Sequence, residues 1–337
     1  MRMWKNRKFV KKTGMDGSVK ISVIVTFFNA SGLVGRCAAS LFGQTLKEGI
    51  EYIFIDDGSD DGSAGQLQDV IRDYPERKEC IKVLSNATKT GTSYSREKGL
   101  TEARGEFVIF CDADDWVELQ MLAKMLRVAE VTEADVTCCG FMLEKPYKSV
   151  PVLFKSQKFP PLDEAPLDTL HFSGCNKLIR RSVIADNGLH FFQGIDRWED
   201  MGLLSRIFAC TQKIHIINKP YYHYRRVEGM SITTSRMERV LDDHLRMAEV
   251  LSAWFAEHFG NRHDRFVNYM KFCAKIKLMR GATRDAVRWK NTFPESNRHI
   301  MGYRNIPLHY RIAFLLAYMM PLPVLRIADR LFPAPKC

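Results

Sequence analysis

Three clusters of acidic residues stand where strands are predicted to end or a helix to begin. Asp56–Ser59 (DDGS) follows one apolar run, and Asp112–Trp116 (DADDW) follows another. Trp198–Asp200 (WED) precedes apolar residues at helical spacing. Carboxylates in such places can bind a hard divalent cation, accept hydrogen bonds from ribose hydroxyls or a pyrimidine N–H, or act as a general base. The clusters therefore predict a ligand-binding or catalytic site.

Each cluster also has an ordinary structural interpretation. Asp, Gly and Ser are common in turns, so Asp56–Ser59 by itself is a weak signal. Acidic residues favour helix N-termini, which would suit a helix from Val117 and another at Trp198–Asp200. Three carboxylates within Asp112–Asp115 repel one another, and a bound cation would relieve that repulsion. The second cluster therefore gives the strongest indication of function.

The elements that would position these acids alternate between strands and helices. Helical spacing predicts a helix near Leu33–Leu41 with Ser31 as a possible N-cap, and further helices at Gln66–Tyr74 and Thr92–Ala103. Such alternation is typical of a parallel α/β sheet, whose strand carboxyl ends line the ligand site. Short apolar runs predict five strands: Lys20–Val25, Glu51–Asp56, Lys82–Leu84, Phe107–Asp112 and Val136–Gly140.

The rest of the chain separates into a loop and a helical extension. Glu144–Pro166 holds five prolines and little periodicity, which predicts a loop. Beyond residue 235 apolar residues recur at helical intervals. The 14 uncharged residues of Ile312–Leu325 are broken by two prolines and fall short of the roughly 20 needed to span a bilayer. An interfacial segment and a buried terminal helix both fit this run.

Charge is unevenly spread along the 337 residues. The net charge is +11, with +6 in residues 1–20 and +11 in residues 262–337, which leaves −6 between them. An acidic centre suits a cation site and basic ends suit an anionic surface, although solvated helices also carry Lys and Arg. No nucleic-acid-binding motif accompanies the basic ends, so no nucleic-acid partner is predicted.

Cysteine usage and the start of the chain bear on location. Nine cysteines without a CxxC pair are typical of free thiols in a reducing cytosol. Residues 1–20 lack the apolar stretch of a secretory signal. A cytoplasmic protein is therefore expected.

From about Ile21 to Ile232 the chain carries, in order, the motifs ISVIVTFFN, FGQT, IFIDDGSDDGS, SYSREKGL, GEFVIFCDADDW, CNKLIRRS, WED and YYHYRR. Together these motifs resemble the family 2 glycosyltransferases of the GT-A fold, especially bacterial enzymes of capsule, exopolysaccharide and lipopolysaccharide assembly. The resemblance implies a basic tail at residues 1–18, a GT-A domain with a mostly parallel sheet at 19–228, and a basic helical extension at 229–337. Residues 308–332 are then a candidate membrane-interface segment.

The resemblance implies a role for seven residues. Asp112 and Asp114 match the DXD motif, whose carboxylates bind Mg²⁺ or Mn²⁺ together with the donor diphosphate. Asp200 matches the catalytic base. The positions that contact the nucleotide fall on Thr26, Phe28, Asp57 and Arg96.

Some positions depart from the family pattern. Phe28 stands where Tyr is usual, Glu97 stands where Asn commonly follows the arginine, and Gly229–Ser231 interrupts a usual Gly-Ser pair.

Other residues have open roles. His223 could be a further metal ligand, although a lone histidine in an aromatic strand is more often structural. A metal contact by Asp115 is also open. Lys177 and Arg225 could contact the diphosphate or the acceptor, and solvated or core-edge pairing fits them equally well.

The function implied by the resemblance is inverting transfer of a sugar from a nucleotide-sugar, with a UDP-sugar as the expected donor. The acceptor would be a hydroxyl of a glycan or lipid-linked sugar, with the enzyme peripheral at the inner face of the cell membrane. A sugar-phosphate nucleotidylyltransferase would carry a Gly-rich basic loop where Thr26–Ala30 stands, so that class is rejected. A catalytically inactive, membrane-associated nucleotide-sugar-binding module remains the alternative, and release of nucleoside diphosphate separates the two.

Overall fold

The computed structural model describes residues 19–226, 237–279 and 285–325. The predicted basic tail at residues 1–18 and the Gly229–Ser231 segment lie outside these residues. The predicted boundary between residues 228 and 229 lies outside them as well.

Four parallel strands form the first half of the sheet, in the order β3-β2-β1-β4. Every residue of β2 and all but one of β1 are buried, as expected of strands inside an α/β sheet. The strands are β1 (Ile21–Phe27), β2 (Ile50–Asp56), β3 (Ile81–Ser85) and β4 (Phe107–Asp112). The helices that connect them are α1 (Val34–Phe42), α2 (Ser63–Asp73) and α3 (Thr92–Glu102).

The second half of the sheet is mixed. From β4 the order continues β8-β6-β9-β5, with β7 paired to β6, so that the described residues form one nine-stranded sheet. β8 is antiparallel to both neighbours, whereas β9 is parallel to β6 and antiparallel to β5. The strands are β5 (Trp116–Val117), β6 (Val136–Lys145), β7 (Lys148–Val152), β8 (Lys177–Arg180) and β9 (Ile214–Arg225).

The loop prediction for Glu144–Pro166 was wrong at its start. β6 runs on to Lys145 and turns back into β7, so that Lys145 pairs with Lys148. Pro151 lies inside β7, where β6 is the only partner strand among the described residues. A proline is tolerated in such an edge strand because its missing N–H need not serve a second neighbour.

The helix near Leu33–Leu41 was predicted correctly, but Ser31 as its N-cap and a helix start at Val117 were both wrong. α1 begins at Val34 without a side-chain cap, and the Ser31 N–H donates to Asp61 Oδ2 at 2.8 Å. Val117 lies in β5, and α4 begins only at Met121. In both places a hydrogen bond to a residue distant in the chain replaces the expected hydrogen bond within a helix. At Ser31 this is the bond to Asp61. After Val117 the Glu118 N–H donates to the Tyr221 carbonyl of β9.

The helical extension was predicted correctly, and it packs directly on the α/β region. Phe172 stacks on Phe266 with ring centroids 6.1 Å apart, and both regions contribute to one buried apolar cluster. Within the described residues no helix has the length and apolar character to cross a bilayer. The remaining helices are α4 (Met121–Val131), α5 (Thr169–Phe172), α6 (Arg181–Asp186), α7 (Glu199–Cys210), α8 (Met237–Phe259), α9 (Asp264–Lys275), α10 (Ala286–Asn291), α11 (Pro294–Asn297) and α12 (Leu308–Met319).

Candidate active site

The acidic clusters after β2 and β4 meet at one edge of the sheet. β1 lies between these strands, and Thr26 pairs with Ile55 on one side and with Asp112 on the other. Parallel strands present their carboxyl ends at the same edge, where α/β proteins bind ligands. Asp57 and Asp112 therefore flank the end of β1, and both lie at strand ends as the sequence predicted.

Asp57 is buried and rich in hydrogen bonds. Its Oδ1 accepts from Asn86 Nδ2 (2.8 Å), the Thr90 N–H (2.8 Å) and the Thr90 hydroxyl (2.6 Å), and its Oδ2 accepts from the Gly91 N–H (2.9 Å). Burial acts to raise the pKa of Asp57, but these bonds outweigh it and hold the pKa below its ordinary value. The carboxylate is thus ionised, and Oδ2 keeps capacity for a ligand donor.

An aromatic ring and a cation lie beside this carboxylate. Phe28 leaves 37% of its surface exposed just after β1, and Lys89 Nζ lies 3.7 Å from the centre of its ring. The Lys89 loop comes so close to Gly58 that a Cβ there would lie 2.9 Å from the Thr88 carbonyl carbon. Together with the ionised Asp57, these groups could hold a nucleobase and its phosphates.

Arg96 joins the second and third acidic clusters. Its Nη2 donates to Asp112 Oδ1 at 2.7 Å, while its Nη1 donates to Glu199 Oε1 at 2.8 Å and also to Asp200 Oδ1. The side chain comes from α3 and is only 4% exposed. A single buried guanidinium therefore holds the predicted base beside a predicted metal ligand, although the two acids are 88 positions apart in the chain.

Asp200 lies in the first turn of α7 next to Glu199. Its Oδ2 accepts a hydrogen bond from the Gly174 N–H at 2.8 Å. Burial raises the pKa of Asp200, and the charge of Asp112 adds to the effect while Arg96 opposes it. Burial likewise raises the pKa of Glu199 against the influence of Arg96. A carboxylate with a raised pKa is a better proton acceptor, which suits a general base.

The turn after β4 directs its acids to opposite sides. Asp114 is exposed, yet desolvation by the surrounding protein and the charge of Asp112 raise its pKa to about 6. Asp115 is buried and accepts hydrogen bonds from the Tyr222 hydroxyl (2.7 Å) and the Arg225 N–H (2.7 Å). Asp115 therefore anchors β9 to the turn, and each of its oxygens already has a protein donor.

Asp112 and Asp114 provide ligands that a hard divalent cation prefers. Mg²⁺ is usually bound by one or two carboxylates and completes its shell with water and substrate phosphates. Desolvation and the charge of Asp112 raise the pKa of Asp114, and a cation bound to the pair would stabilise the charged form of both carboxylates. No group of three or more His, Cys, Asp or Glu is arranged to hold a metal in the part of the chain that the structure describes. The two carboxylates therefore fit a cation shared with a diphosphate, rather than an all-protein site.

His223 has a structural role in this arrangement. Its Nδ1 lies 2.7 Å from Glu144 Oε1 and its Nε2 lies 2.9 Å from Glu118 Oε1. Its ring stacks on Trp116 at 4.9 Å, and the Arg36 guanidinium lies over the same indole at 3.5 Å. Since both ring nitrogens have glutamate partners, His223 steadies the turn after β4 instead of extending the metal site.

Two further residues that stood out in the sequence are also structural. Lys177 is fully buried, and its Nζ donates to the Leu170 carbonyl (3.0 Å), the Ser173 carbonyl (2.8 Å) and Asn176 Oδ1 (2.7 Å). Glu97, where the family pattern has Asn, accepts a hydrogen bond from the Phe191 N–H at 2.8 Å.

Sequence reasoning missed several groups that complete the site. Each gains its role from a contact with a residue distant in the chain, so no local pattern marks it. Gly91 alone carries a signal, since a glycine precedes a predicted helix, and a Cβ there would lie 2.2 Å from Asp196 Oδ2. The missed residues are Asn86, Lys89, Thr90, Gly91 and Gly174, while Glu199 and Tyr222 lie within the WED and YYHYRR motifs but had no predicted role.

The helical extension supports the segment that carries the predicted base. Trp198 has a left-handed backbone conformation (φ 65°), and its ring stacks on His244 of α8 at 4.1 Å. A Cβ at Gly202 would lie 2.7 Å from Met247 Sδ, so α8 packs against α7 at close range. The extension is therefore part of the framework of the site.

Residues 22–188 match Glycosyl transferase family 2. They form a family 2 glycosyltransferase domain. Cholesterol galactosyltransferase of Borreliella burgdorferi is 30% identical over 239 residues, which cover 65% of this chain and 64% of that protein. The putative glycosyltransferase EpsH of Bacillus subtilis is 28% identical over 253 residues, covering 71% of this chain and 70% of EpsH. The chain thus spans just under two-thirds of the first of these relatives.

Solved structures share the fold along nearly the whole chain. Staphylococcus aureus TarS 1–349 in complex with UDP-GlcNAc superposes with a TM-score of 0.68 at 21% identity, covering 93% of this chain and 92% of that one. The mannosyltransferase PcManGT from Pyrobaculum calidifontis, in complex with GDP-Man and Mn²⁺, gives 0.52 at 14% identity, covering 93% and 87%. The predicted GT-A fold, a mixed and largely parallel sheet followed by helices, is confirmed.

Proposed function

We propose that this chain is a metal-dependent, inverting glycosyltransferase that uses a nucleotide-sugar donor. The observation that carries the proposal is the cluster around Arg96. One buried guanidinium holds Asp112, a predicted metal ligand, and Asp200, the predicted base, at the same edge of the sheet as Asp57. Glycosyl transfer requires the diphosphate leaving group, the anomeric carbon and the acceptor hydroxyl to lie together at one site, and these residues lie together at one edge of the sheet.

The nucleotide would bind at the ends of β1 and β2. Asp57 Oδ2 would accept a hydrogen bond from the base, Thr26 and Phe28 would contact the uracil of a UDP-sugar, and Lys89 would offer its ammonium group to a phosphate. The ionised state of Asp57 supports this assignment, because an acceptor-only carboxylate suits the N–H of a uracil.

Asp112 and Asp114 would hold Mg²⁺ or Mn²⁺ against the donor diphosphate. A bound divalent cation supplies positive charge that stabilises the departing diphosphate. Arg96, predicted to lie near the nucleotide, contacts Asp112 and thereby keeps one of these carboxylates oriented. The protein's own part is to fix the two carboxylates in place before the donor arrives.

Asp200 would act on the acceptor. Its carboxylate takes the proton of the acceptor hydroxyl as that oxygen forms a bond to the anomeric carbon. The bond from this carbon to the diphosphate oxygen breaks at the same time, and the electron pair leaves with the nucleoside diphosphate. Because attack comes from the face opposite the leaving group, the anomeric configuration inverts.

The donor and acceptor classes follow from the relatives. The proposed donor is a UDP-hexose or a UDP-N-acetylhexosamine, since the related TarS structure is a complex with UDP-GlcNAc. The proposed acceptor is a hydroxyl of a glycan or lipid-linked sugar in bacterial cell-surface polysaccharide synthesis. Bacillus spizizenii poly(ribitol-phosphate) beta-glucosyltransferase, 26% identical over 219 residues, is a relative whose name describes glucosyl transfer to a hydroxyl-bearing polymer, poly(ribitol-phosphate). We also propose that the enzyme works peripherally at the cytoplasmic face of the membrane, where soluble donor and lipid-linked acceptor meet.

Release of nucleoside diphosphate tests the proposal directly. The full chain is incubated with a panel of nucleotide-sugars, with and without Mn²⁺, and the diphosphate is quantified. Asp200→Asn keeps the shape of the side chain and removes the base, so turnover should fall by about 10²–10⁴-fold. Nucleotide affinity, measured by calorimetry, should stay close to wild type because Asp57 and the metal ligands are intact. Asp69→Asn, at a surface ion pair with Arg72, is the matched control and should keep full activity.

Two outcomes would contradict the assignment. If Asp200→Asn lost nucleotide affinity as well as turnover, Asp200 would be a binding or structural residue. If wild type bound UDP-sugars but released no diphosphate with any acceptor or cation, the chain would be an inactive nucleotide-sugar-binding module.

A further inference from the structure

A large exposed apolar surface lies on α12 and the segments beside it. Fourteen large hydrophobic side chains are exposed among the described residues, and eight of them fall within residues 301–324. Such concentration is unusual, because exposed apolar side chains are normally scattered, and a contiguous patch marks an interaction site. The eight residues, named here the α12 surface, are Met301, Leu308, Tyr310, Ile312, Leu316, Met319, Met320 and Val324.

The centre of the α12 surface is an apolar stripe on a helix that is fixed to the protein on its other face. Leu308, Ile312 and Leu316 recur at intervals of four residues and therefore project from one side. On the opposite side Phe314 packs on Phe272 and Trp289, with ring centroids 5.3 and 5.8 Å apart. The exposed stripe is thus held in place by the core and is not a frayed chain end.

Polar contacts fix both ends of α12. Near its start the Arg311 Nη1 donates to the Met301 carbonyl at 2.6 Å, and after its end the Lys290 Nζ donates to the Met320 carbonyl at 2.6 Å. These bonds satisfy carbonyl groups that would otherwise oppose insertion into an apolar phase.

The chain segment that carries the α12 surface has charges of one sign. The sequence holds no acidic residue between Glu295 and Asp329. Arg298 and Arg304, which precede α12 in this segment, are both exposed. A second copy of the chain docked face to face would bring like charges together, whereas an anionic headgroup layer would pair with them.

The length of α12 decides how it would meet a bilayer. Its 12 residues measure about 18 Å, well short of the roughly 30 Å hydrocarbon core. A helix of this length with one apolar face suits the plane of the membrane interface.

We propose that the α12 surface docks this protein onto an anionic lipid bilayer. The apolar stripe enters the boundary between headgroups and acyl chains, and Arg298 and Arg304 lie at headgroup level. This inference deepens the membrane location proposed above by assigning it to particular residues, and it does not depend on which sugar is transferred.

Flotation with lipid vesicles tests the proposal on the full chain, without donor. The probes are phosphatidylcholine vesicles with and without phosphatidylglycerol as the anionic lipid. Wild type should float with the anionic vesicles and be released only in part by high salt. Ile312→Glu/Leu316→Glu should lower partitioning by about 100-fold, because two charges replace the inserted stripe. Arg298→Gln/Arg304→Gln should lower it by about 25-fold, taking about fivefold for each charge.

A matched control and an activity measurement keep the test specific. Val131→Glu changes an exposed apolar residue of α4 and should float like wild type. The melting temperature and the diphosphate release of each variant show whether it folds. If the Ile312→Glu/Leu316→Glu variant does not fold, the Arg298→Gln/Arg304→Gln variant still tests the proposal. Failure of diphosphate release in wild type would refute the proposed enzyme activity and leave the flotation result standing.

Several results would overturn the docking proposal. These are failure of wild type to float with anionic vesicles, equal flotation of the Ile312→Glu/Leu316→Glu variant, or equal binding to neutral vesicles. A wild-type dimer that this variant converts to a monomer, in sedimentation without lipid, would instead assign the surface to contact between copies. Substitution is preferable to truncation after Pro307, because truncation would strip Phe314 from Phe272 and Trp289.

Discussion

Replacing Arg96 by glutamine tests the arrangement at the centre of the site. In the native structure this buried guanidinium serves Asp112, Glu199 and Asp200 at once. Glutamine keeps much of the volume but leaves three neighbouring carboxylates without their shared cation. Removing one partner from a buried ion pair costs about 3–5 kcal/mol, because the remaining charge stays desolvated and unpaired. We expect a loss of that size in the free energy of unfolding.

The assay is thermal unfolding followed by circular dichroism, with chelator present so that no cation replaces the lost charge. At roughly 2 °C per kcal/mol for a chain of this size, the melting temperature of Arg96→Gln should fall by about 6–10 °C. Arg72→Gln is the matched control, since Arg72 pairs with Asp69 on the surface and both side chains are mostly exposed. Its effect should stay below about 1 kcal/mol.

The pH dependence gives a second measure of the same effect. Without Arg96 the facing carboxylates should have pKa values in the folded state that lie above those in the unfolded chain. The folded state then binds more protons, so stability is lost as pH rises through the folded pKa values and is recovered at lower pH. The loss in free energy of unfolding caused by Arg96→Gln should be smaller at pH 5.5 than at pH 8. Adding Glu199→Gln to this variant should recover part of that free energy. A variant that melts with wild type at pH 8 would refute the reasoning, as would a deficit independent of pH.

Three further predictions concern the metal ligand, the nucleotide pocket and the helical extension. Asp114→Asn should abolish turnover that depends on a divalent cation, while the metal-free protein should melt at or slightly above the wild-type temperature because a disfavoured charge is gone. Lys89→Ala and Phe28→Ala should each weaken UDP binding about 5- to 30-fold in calorimetry, through one phosphate contact or one ring contact. Burial lowers the pKa of His244 to about 3, so the unfolded chain alone binds that proton between pH 6.5 and 3 and stability falls as pH falls across this window. His244→Phe should keep the stack on Trp198 and reduce that acid loss by on the order of 3 kcal/mol.

Each of these predictions has a result that contradicts it. Full activity of Asp114→Asn, or of wild type in excess chelator, would remove the metal from the reaction. Unchanged UDP affinity in Lys89→Ala would place the diphosphate elsewhere, with Lys82→Ala, at the surface pair with Glu102, as the control. The His244 argument fails if His244→Phe unfolds in acid with the same slope as wild type, since the histidine would then not be the group that titrates.

The strands and their acids were predictable because the signals are local. Buried parallel strands read as short apolar runs, and Asp57 and Asp112 follow two such runs directly. The hydrogen-bond register of β1 with β2 and β4 then brings both acids to one edge without further information. Helical spacing likewise predicted α3, which carries Arg96, and the extension beyond residue 235.

Predictions failed where a distant partner overrides a local preference. The residues after Asp115 resemble a helix start, yet Trp116 and Val117 pair with β9, more than a hundred positions later. Residues 144–152 contain two prolines and still form a hairpin, because β6 offers a partner and β7 remains at the edge.

The sequence by itself predicted the family resemblance and the fold correctly, and it singled out the acids proposed for the site, since these inferences depend on apolar runs and on motifs read in order. Only the tertiary structure decided how the acids divide their roles. It turned Asp115 inward to Tyr222 and left Asp114 exposed. It also placed Arg96 between Asp112 and Asp200, and it buried one face of α12 while exposing the other. These outcomes depend on burial and on contacts between residues far apart in the chain, and no short stretch of sequence contains both partners.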